Sequence, residues 1–549
     1  MPEYRVFGPP GTGKTTYLAR QVANAASRHG SERVIVSSFT RAAASEVASR
    51  NVPIPRSQVG TLHAHCYRLL DRPEIAESHA EEWNDYIRDH YPALVLSSGA
   101  DSSALDEPAV ERGGSTEGDA LLEEVGRLRA RMVPRDEWPQ REAAMASLWE
   151  DWKSGNGLLD FDDLIEHALD QGIGPPGAPR VGFFDEAQDF TPMELTLVRR
   201  WSEEMEYVVL VGDDDQCIYH FTGATARAFL EPEVPDDHKR LLSQSFRVPR
   251  RVHEVAERWI GELDGLDVRE PKVYEPREDD PGEVDVLPGT TWRSPDALRA
   301  ELDLALSRGS TAMILTTCSY MLEPIKRLLR DAAIPFANPY RRKRGDWNPL
   351  APRRGSTTAT DRVLAYTRPD ERVWGEESRM WSGPELRAWL EACKAEGLIA
   401  RGQKKRLREI AEAHPHEVPL EVLQGVFVDP EAWGRALSMD LGWLRSRLSA
   451  KHQRPMEFPM RVLRKHGLDA LRREPRVIIG TIHSVKGGEA DEVFLFPDLS
   501  GSAVAEWHTD EGRAAIIRQF YVGITRARRR LVLCDPVKEG AAAPVIEKV

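Results

Sequence analysis

Eight residues near the start of the chain have the types and spacing needed to hold phosphates: Gly8-Pro9-Pro10-Gly11-Thr12-Gly13-Lys14-Thr15. They fit the P-loop pattern, in which glycines let backbone N–H groups approach phosphate oxygens and a following helix turns its positive end toward the anion. Lys14 is expected to reach the β- and γ-phosphates of ATP and Thr15 to bind Mg2+, with Thr16 closing the loop. A second group, Asp185-Glu186, ends the apolar run Val181-Gly182-Phe183-Phe184. A carboxylate pair at a strand end suits metal binding by Asp185 and general-base action on water by Glu186. Gln188 follows closely enough to contact the γ-phosphate. A glycine-rich loop alone is open to chance, and an acidic pair alone is open to being an exposed turn. It is the combination, each at the end of an apolar strand, that points to nucleotide hydrolysis.

Such groups need strands to carry them. Residues 4–8 are short and β-prone, and they lead through the loop into a helical pattern over 15–26. The runs 34–39, 181–187 and 208–213 are apolar and end in polar or acidic residues, as central parallel strands covered on both faces do. These predict a first α/β domain over 1–70 and 155–255. A second series, 312–317, 476–481, 492–498 and 530–536, predicts another over 256–340 and 475–549. Two mainly helical insertions separate the pieces, 71–154 and 341–474. The second contains Trp347, Trp374, Trp381, Trp389, Trp433 and Trp443, which read as core more than as a stacking platform. Residues 97–118 have the composition of a disordered loop.

The 549 residues, 41% hydrophobic and 30% charged, are enough for several domains with sizeable cores. No apolar run approaches the ~18 residues of a membrane span, and the N-terminus lacks the pattern of a secretory signal. The five cysteines are scattered with no CxxC pair, which argues for reduced thiols in a cytoplasmic or nucleoid-associated protein. Net charge is -14, but a whole-chain charge does not exclude a local basic groove.

Read in order, GPPGTGKT, FFDEAQD, VGDDDQCIYHFTGA, TIHSVKGGEADEVF and YVGITRARRRLVL resemble motifs I, II, III, V and VI of UvrD/Rep-like superfamily 1A helicases. SFTRAAASEV (38–47), GTLHAHCYRLL (60–70) and LSQSFRVP (242–249) look like motifs Ia, Ib and IV. The resemblance covers roughly half of the chain and implies two RecA-like P-loop domains, parallel sheets with flanking helices, each interrupted by a helical subdomain. It implies that Gln216 senses the γ-phosphate, and that Arg247 and Arg526 stabilise transition-state charge. It also implies that Phe246 stacks on adenine and Glu489 bonds the ribose. Phe39, Thr40, Thr61, His63, Tyr219, Phe221 and Ser484 are similar to residues that touch single-stranded DNA, aromatics by stacking and hydroxyls on phosphates.

Three departures stand out. No glutamine-bearing helix precedes the P-loop, which leaves open whether adenine is read strictly. Phe221-Thr222 stand where the family usually has Trp-Arg, and Thr222 cannot replace a guanidinium. In AMILTTCSYML (312–322), which matches a motif IVa strand, Thr317 or Cys318 takes the place of the family's arginine. Two cationic runs, Arg341-Arg342-Lys343-Arg344 with Arg353-Arg354, and Arg401 to Arg408, suit either duplex phosphates or a solvated face; Arg88, Arg127, Arg129 and Arg131 are weaker candidates. The sequence therefore predicts an ATP- and Mg2+-dependent DNA helicase moving 3′ to 5′ on single strands. Its expected partners are single-stranded DNA, single/double-strand junctions and replication or repair proteins. The alternative is a DNA-stimulated ATPase that remodels protein–DNA complexes without processive unwinding.

Overall fold

The computed structural model describes residues 2–50, 52–97, 116–341, 347–353 and 355–549. Most of the 97–118 segment, together with Arg342, Lys343, Arg344 and Arg354, lies outside the described residues. The strands are β1 (Glu3–Phe7), β2 (Val34–Ser38), β3 (Val59–Gly60), β4 (Val181–Asp185), β5 (Tyr207–Gly212), β6 (Lys239–Leu241), β7 (Gln244–Pro249), β8 (Glu275–Arg277), β9 (Glu283–Leu287), β10 (Ala312–Thr316), β11 (Phe336–Ala337), β12 (Val477–Thr481), β13 (Ala490–Leu495) and β14 (Ala527–Cys534). The chain divides into two compact units. One comprises Met1–Pro288, Leu315–Ser319 and Thr481–Val549, the other Gly289–Ile314 and Tyr320–Gly480.

In the first unit, six parallel strands run in the order β3-β2-β4-β5-β1-β6. The apolar runs are continuous because both faces are buried. Val34, Val36, Phe183, Val209 and Val211 pack on one side against Leu18 and Val22 of the helix Lys14–His29. Ile35, Phe184, Val208 and Leu210 alternate with them and pack on the other side against Leu164, Leu195 and Trp201. Strand side chains alternate faces, so a run buried on both must be apolar at every position. Each such side chain contributes roughly 1.5–3 kcal/mol. A second parallel set in this unit pairs β13 with β14 and β14 with β9. The chain is thus α/β with parallel sheets and flanking helices.

The first insertion is helical at Ala80–Ile87, Glu117–Ala130 and Gln140–Asn156. Its core is a triangle of Trp83, Trp149 and Trp152, with ring centroids 5.0–5.5 Å apart. It is tied to the helix Phe161–Asp170 by buried charge. Arg129 reaches Asp160 (2.9 Å), Asp163 (2.6 Å) and Glu166 (2.7 Å), and Lys153 meets Asp160 and Asp163. Arg129 is therefore enclosed by carboxylates instead of facing a nucleic acid.

The second unit holds β11 paired in parallel with β12, and helices from Ala359–Tyr366 to Asp469–Arg472. Trp381 and Trp389 are fully buried with centroids 5.2 Å apart, and Trp433 and Phe427 close around them, so these tryptophans are core. Trp374 differs, since the guanidiniums of Arg368 and Arg472 each lie 4.2 Å from its ring centroid. In the Arg401–Arg408 run, Arg406 pairs with Glu409 and Arg408 with Glu412 along the helix Gln403–Ala413, and Lys404 donates to the Cys393 carbonyl. Among the described residues no helix is long and apolar enough to cross a membrane.

Candidate functional site

The three groups predicted to handle a nucleotide follow β1, β4 and β5, which are neighbours in the sheet. Parallel register brings their carboxyl ends level, with Phe7 opposite Gly212 and Asp185 opposite Val211. This edge is where open α/β sheets bind ligands. The loop after β1 is held at its base by the Gly8 N–H donating to the Gly212 carbonyl at 2.9 Å. Gly11 and Gly13 sit at φ 75° and 79°, in the left-handed region that glycine adopts without strain. A Cβ on Gly11 would also stand 2.4 Å from the Arg247 Cβ, so glycine is required there for space as well. The helix Lys14–His29 begins at Gly13 with no side-chain cap. Its first N–H groups thus suit a phosphate. Lys14 Nζ donates to the Gly8 carbonyl at 2.8 Å. Pro9 and Pro10 are buried, Thr12 bonds back to the Pro9 carbonyl, Thr15 is half-buried, and exposed Thr16 accepts from Arg50.

Glu186 occupies a left-handed backbone conformation, φ 53° and ψ 38°, unusual for a residue with a side chain. Gln188 explains how its carboxylate is held. The buried amide nitrogen donates to Glu186 Oε2 (2.7 Å) and Asp189 Oδ2 (3.0 Å), and its oxygen accepts from the Asp213 N–H (3.0 Å). Gln188, expected near the γ-phosphate, has its amide engaged in positioning instead. Burial alone would raise the Glu186 carboxyl, but Lys14, Lys486 and Arg526 together hold it well below its ordinary range. Glu186 is half-buried and charged, so it has the lone pair to accept a proton from water, while the same cations temper its strength as a base. Asp185 is buried at the end of β4. Its carboxylate and the Thr15 hydroxyl are hard oxygen donors of the kind Mg2+ takes.

Both predicted arginines reach this edge. Arg526 is 1% exposed; its Nη2 donates to Gln216 Oε1 at 3.2 Å and its Nη1 to the Gly488 carbonyl. Gln216 is in turn oriented by Asp213, to which its amide donates at 2.7 Å. Arg247 is stitched beside the P-loop: its neighbour Ser245 donates to the Pro10 carbonyl and the Phe246 N–H donates to the Gly11 carbonyl. The Arg247 Nε donates to Glu489 Oε2 at 2.7 Å, and Arg528 donates to the other oxygen at 2.9 Å. Glu489, expected at the ribose, is thus an ion-pair partner of both. The Phe246 ring is 68% exposed beside the loop, open to stacking.

Of the predicted track residues, Phe39, Tyr219 and Phe221 come together in a row that His483 extends. Centroids lie 4.9 Å apart for Phe39–Tyr219, 5.8 Å for Tyr219–Phe221 and 5.4 Å for Phe221–His483. The Ser484 hydroxyl, next to His483, donates to the Thr481 carbonyl. His63 lies apart, near Glu194 and the Phe161 ring. The Thr40 and Thr61 hydroxyls cap the helices Arg41–Ser49 and Leu62–Leu69, accepting from Ala43 and Ala64. Arg131 pairs with Glu511, Arg127 with Glu124 and Arg88 with Asp85.

Sequence reasoning missed two groups. Lys486 lies within the quoted motif V segment, but nothing in its spacing names its partners: it pairs with Asp189 and donates to the Gln216 carbonyl at 2.7 Å. Burial pushes the Asp189 carboxyl up to about 7 against the pull of Lys486. The second is Lys272, whose ammonium lies 3.1, 2.5 and 3.0 Å from Asp213, Asp214 and Asp215. Arg269 also pairs with Asp215, and Arg518 donates to the Asp214 carbonyl.

Comparison with known proteins accords with this architecture. Residues 3–235 match the UvrD/REP helicase N-terminal domain and residues 456–535 the UvrD-like helicase C-terminal domain. The chain is 26% identical to ATP-dependent DNA helicase UvrD2 of Mycobacterium tuberculosis, over 96% of this chain and 76% of that protein. It is 25% identical to the putative ATP-dependent DNA helicase YjcD of Bacillus subtilis over 41% of this chain and 32% of that protein. It is also 25% identical to ATP-dependent DNA helicase SRS2 of Saccharomyces cerevisiae, over 46% of this chain and 25% of that protein. Both family domains are present in order, around a phosphate loop, an acidic pair and two arginines on one sheet edge, and the chain belongs to the UvrD-like helicase family.

Proposed function

We propose that this UvrD-like helicase hydrolyses ATP to move 3′ to 5′ along single-stranded DNA and to separate strands at junctions in replication, repair or recombination. The observation that carries the reading is the contact of Arg526 with Gln216, which brings the TRARRR segment to the end of β5 beside Glu186. Gly8–Thr15 cradle the phosphates, with Lys14 leaving the Gly8 carbonyl for the β- and γ-oxygens. Phe246 stacks on the base. Mg2+, when bound, neutralises phosphate charge, and Thr15 and Asp185 would hold it. Glu186 takes the proton of the attacking water. Arg526, and Arg247 once it exchanges Glu489 for phosphate, stabilise the charge that develops. Phe39, Tyr219 and Phe221 grip bases by stacking, with Thr40, Thr61, His63 and Ser484 as the further strand contacts. We carry the division 1–70 with 155–255, 71–154, 256–340 with 475–549, and 341–474 as the four functional parts. The relatives named ATP-dependent DNA helicases support the same reading.

The test is strand displacement on paired 3′-tailed and 5′-tailed duplexes with ATP. Displacement of the 3′-tailed substrate alone is expected. DNA-stimulated hydrolysis without displacement of either substrate would leave a translocase that remodels protein–DNA complexes.

A further inference from the structure

The site divides into a hydrolytic part around Glu186 and an aromatic row for the strand, and Lys486 touches both. Its ammonium pairs with Asp189 and donates to the Gln216 carbonyl at 2.7 Å. The same nitrogen lies 5.1 Å from the centroid of the Tyr219 ring. That is within the range at which a cation is drawn to an aromatic face. The side chain is 9% exposed, so little water screens these contacts.

Each partner leads to a different function. Asp189 shares the Gln188 amide with Glu186, so a shift of the Asp189 carboxylate is felt at the hydrolytic carboxylate through one side chain. Gln216, whose carbonyl Lys486 holds, presents its side-chain oxygen to Arg526. Tyr219 is three residues after Gln216 and packs against Phe39 and Phe221. Tyr219 is buried, 6% exposed, between the half-buried Phe39 and Phe221, so a base stacking on those two rings acts on Lys486 by pressing the Tyr219 ring toward it. That displacement moves an ammonium that is bonded to both sides of the hydrolytic centre.

We infer that Lys486 is the positioning residue that transmits strand occupancy of the aromatic row, through Tyr219, to the carboxylate and arginine that carry out hydrolysis. The inference rests on the proposed roles of Glu186 and the aromatic row. It predicts that the charge and reach of Lys486 matter more for stimulation by DNA than for ATP affinity. Its loss lowers turnover in the presence of DNA while leaving the KM for ATP close to the parent value, because the described phosphate-loop contacts do not involve it.

The experiment measures kcat and KM for ATP with and without a saturating thymidine oligonucleotide, for the parent, Lys486→Met and Lys486→Arg. The ratio of stimulated to unstimulated kcat is expected to fall by about 10- to 100-fold in Lys486→Met, the scale of losing hydrogen bonds to a charged group. Lys486→Arg should recover most of it. Should Lys486→Met leave Asp189 too strained to fold, the double variant Lys486→Met/Asp189→Asn removes both charges and carries the same expectation. An unchanged ratio, an equal loss with and without DNA, or a failure of Lys486→Arg to recover more than Lys486→Met overturns the inference. Glu186→Gln, run alongside, separates the two levels. If it is inactive while Lys486→Met keeps the parent ratio, coupling through Lys486 is wrong and the hydrolytic reading stands; if Glu186→Gln turns over normally, the hydrolytic reading itself fails.

Discussion

Replacing Lys272 by methionine removes one ammonium from among three buried carboxylates. Lys272 is 2% exposed at its side chain, and Asp213, Asp214 and Asp215 are 0–1% exposed. Breaking a buried ion pair by deleting one partner costs about 3–5 kcal/mol, because a charge stays behind without compensation. The lower half of that range applies here, since the carboxylates keep other donors. Asp215 keeps Arg269 at 2.8 Å, Asp214 keeps the Glu270 N–H at 3.0 Å, and Asp213 keeps the Gln216 amide at 2.7 Å. Thermal unfolding should show a midpoint lowered by roughly 3–5 °C, because the unfolding entropy of a unit this large is high. The deficit should also depend on pH with a definite sign. Burial, with Asp215 and Asp213 adding to it, already holds the Asp214 carboxyl above its ordinary range, while Lys272 pulls the other way. Without the ammonium it rises further, so the folded state binds a proton that the unfolded state releases. Stability of the variant then falls as pH rises through that folded pKa, by up to about 1.4 kcal/mol per unit. The deficit should be smaller near about pH 6 than near about pH 8, and Asp214→Asn in the Lys272→Met background should restore part of it. A deficit under about 1 kcal/mol, flat with pH, would show that the cluster does not depend on its ammonium and would refute this reasoning.

Other outcomes follow from the same geometry. Lys14→Ala, Glu186→Gln and Arg526→Ala should each abolish measurable turnover, with losses of about 10²–10⁴-fold for the base and 10³–10⁵-fold for the arginine; Glu186→Gln should still bind ATP in an equilibrium titration. Phe246→Ala should raise the KM for ATP with less effect on kcat, and a comparison of ATP, GTP and CTP reports how far an exposed ring alone selects the base. Burial, with Arg68 adding to it, lowers the pKa of His65 to about 3, so this ring stays neutral in the folded state while the unfolded chain takes up a proton below about 6.5. Stability should therefore fall as pH drops through that window, by about 2 kcal/mol at pH 5 from this residue. Urea denaturation at pH 7 and 5 should show a flatter response in His65→Gln.

Much of the fold was legible in local patterns. The runs at 34–39, 181–187 and 208–213 are β2, β4 and β5, and the loop between β1 and its helix is the expected strand–loop–helix. Charge runs were legible only as alternatives. Arg401–Arg408 suited either duplex phosphates or a solvated face, and i,i+3 and i,i+4 carboxylates pair two of its arginines, while Arg368 and Arg472 converge on Trp374 from positions far apart in sequence. Gln188 illustrates the limit at the site. Its closeness to Glu186 was visible, but whether its amide faced a phosphate or a neighbouring carboxylate depended on β5 delivering the Asp213 N–H beside it.

By itself the sequence determined which chemistry is present: a phosphate loop, an acidic pair at a strand end and arginines in a recognisable order. Each of those signals is contained within a few consecutive residues, where chain geometry leaves few options. Tertiary structure decided who holds whom. The contacts of Arg526 with Gln216 and of Lys486 with Asp189 join residues 310 and 297 positions apart. The pairing of Arg247 with Glu489 spans 242. No periodicity encodes such distances. They follow from strand order and register, which place the ends of β1, β4 and β5 together, and from burial, which makes each ion that arrives there take the nearest opposite charge.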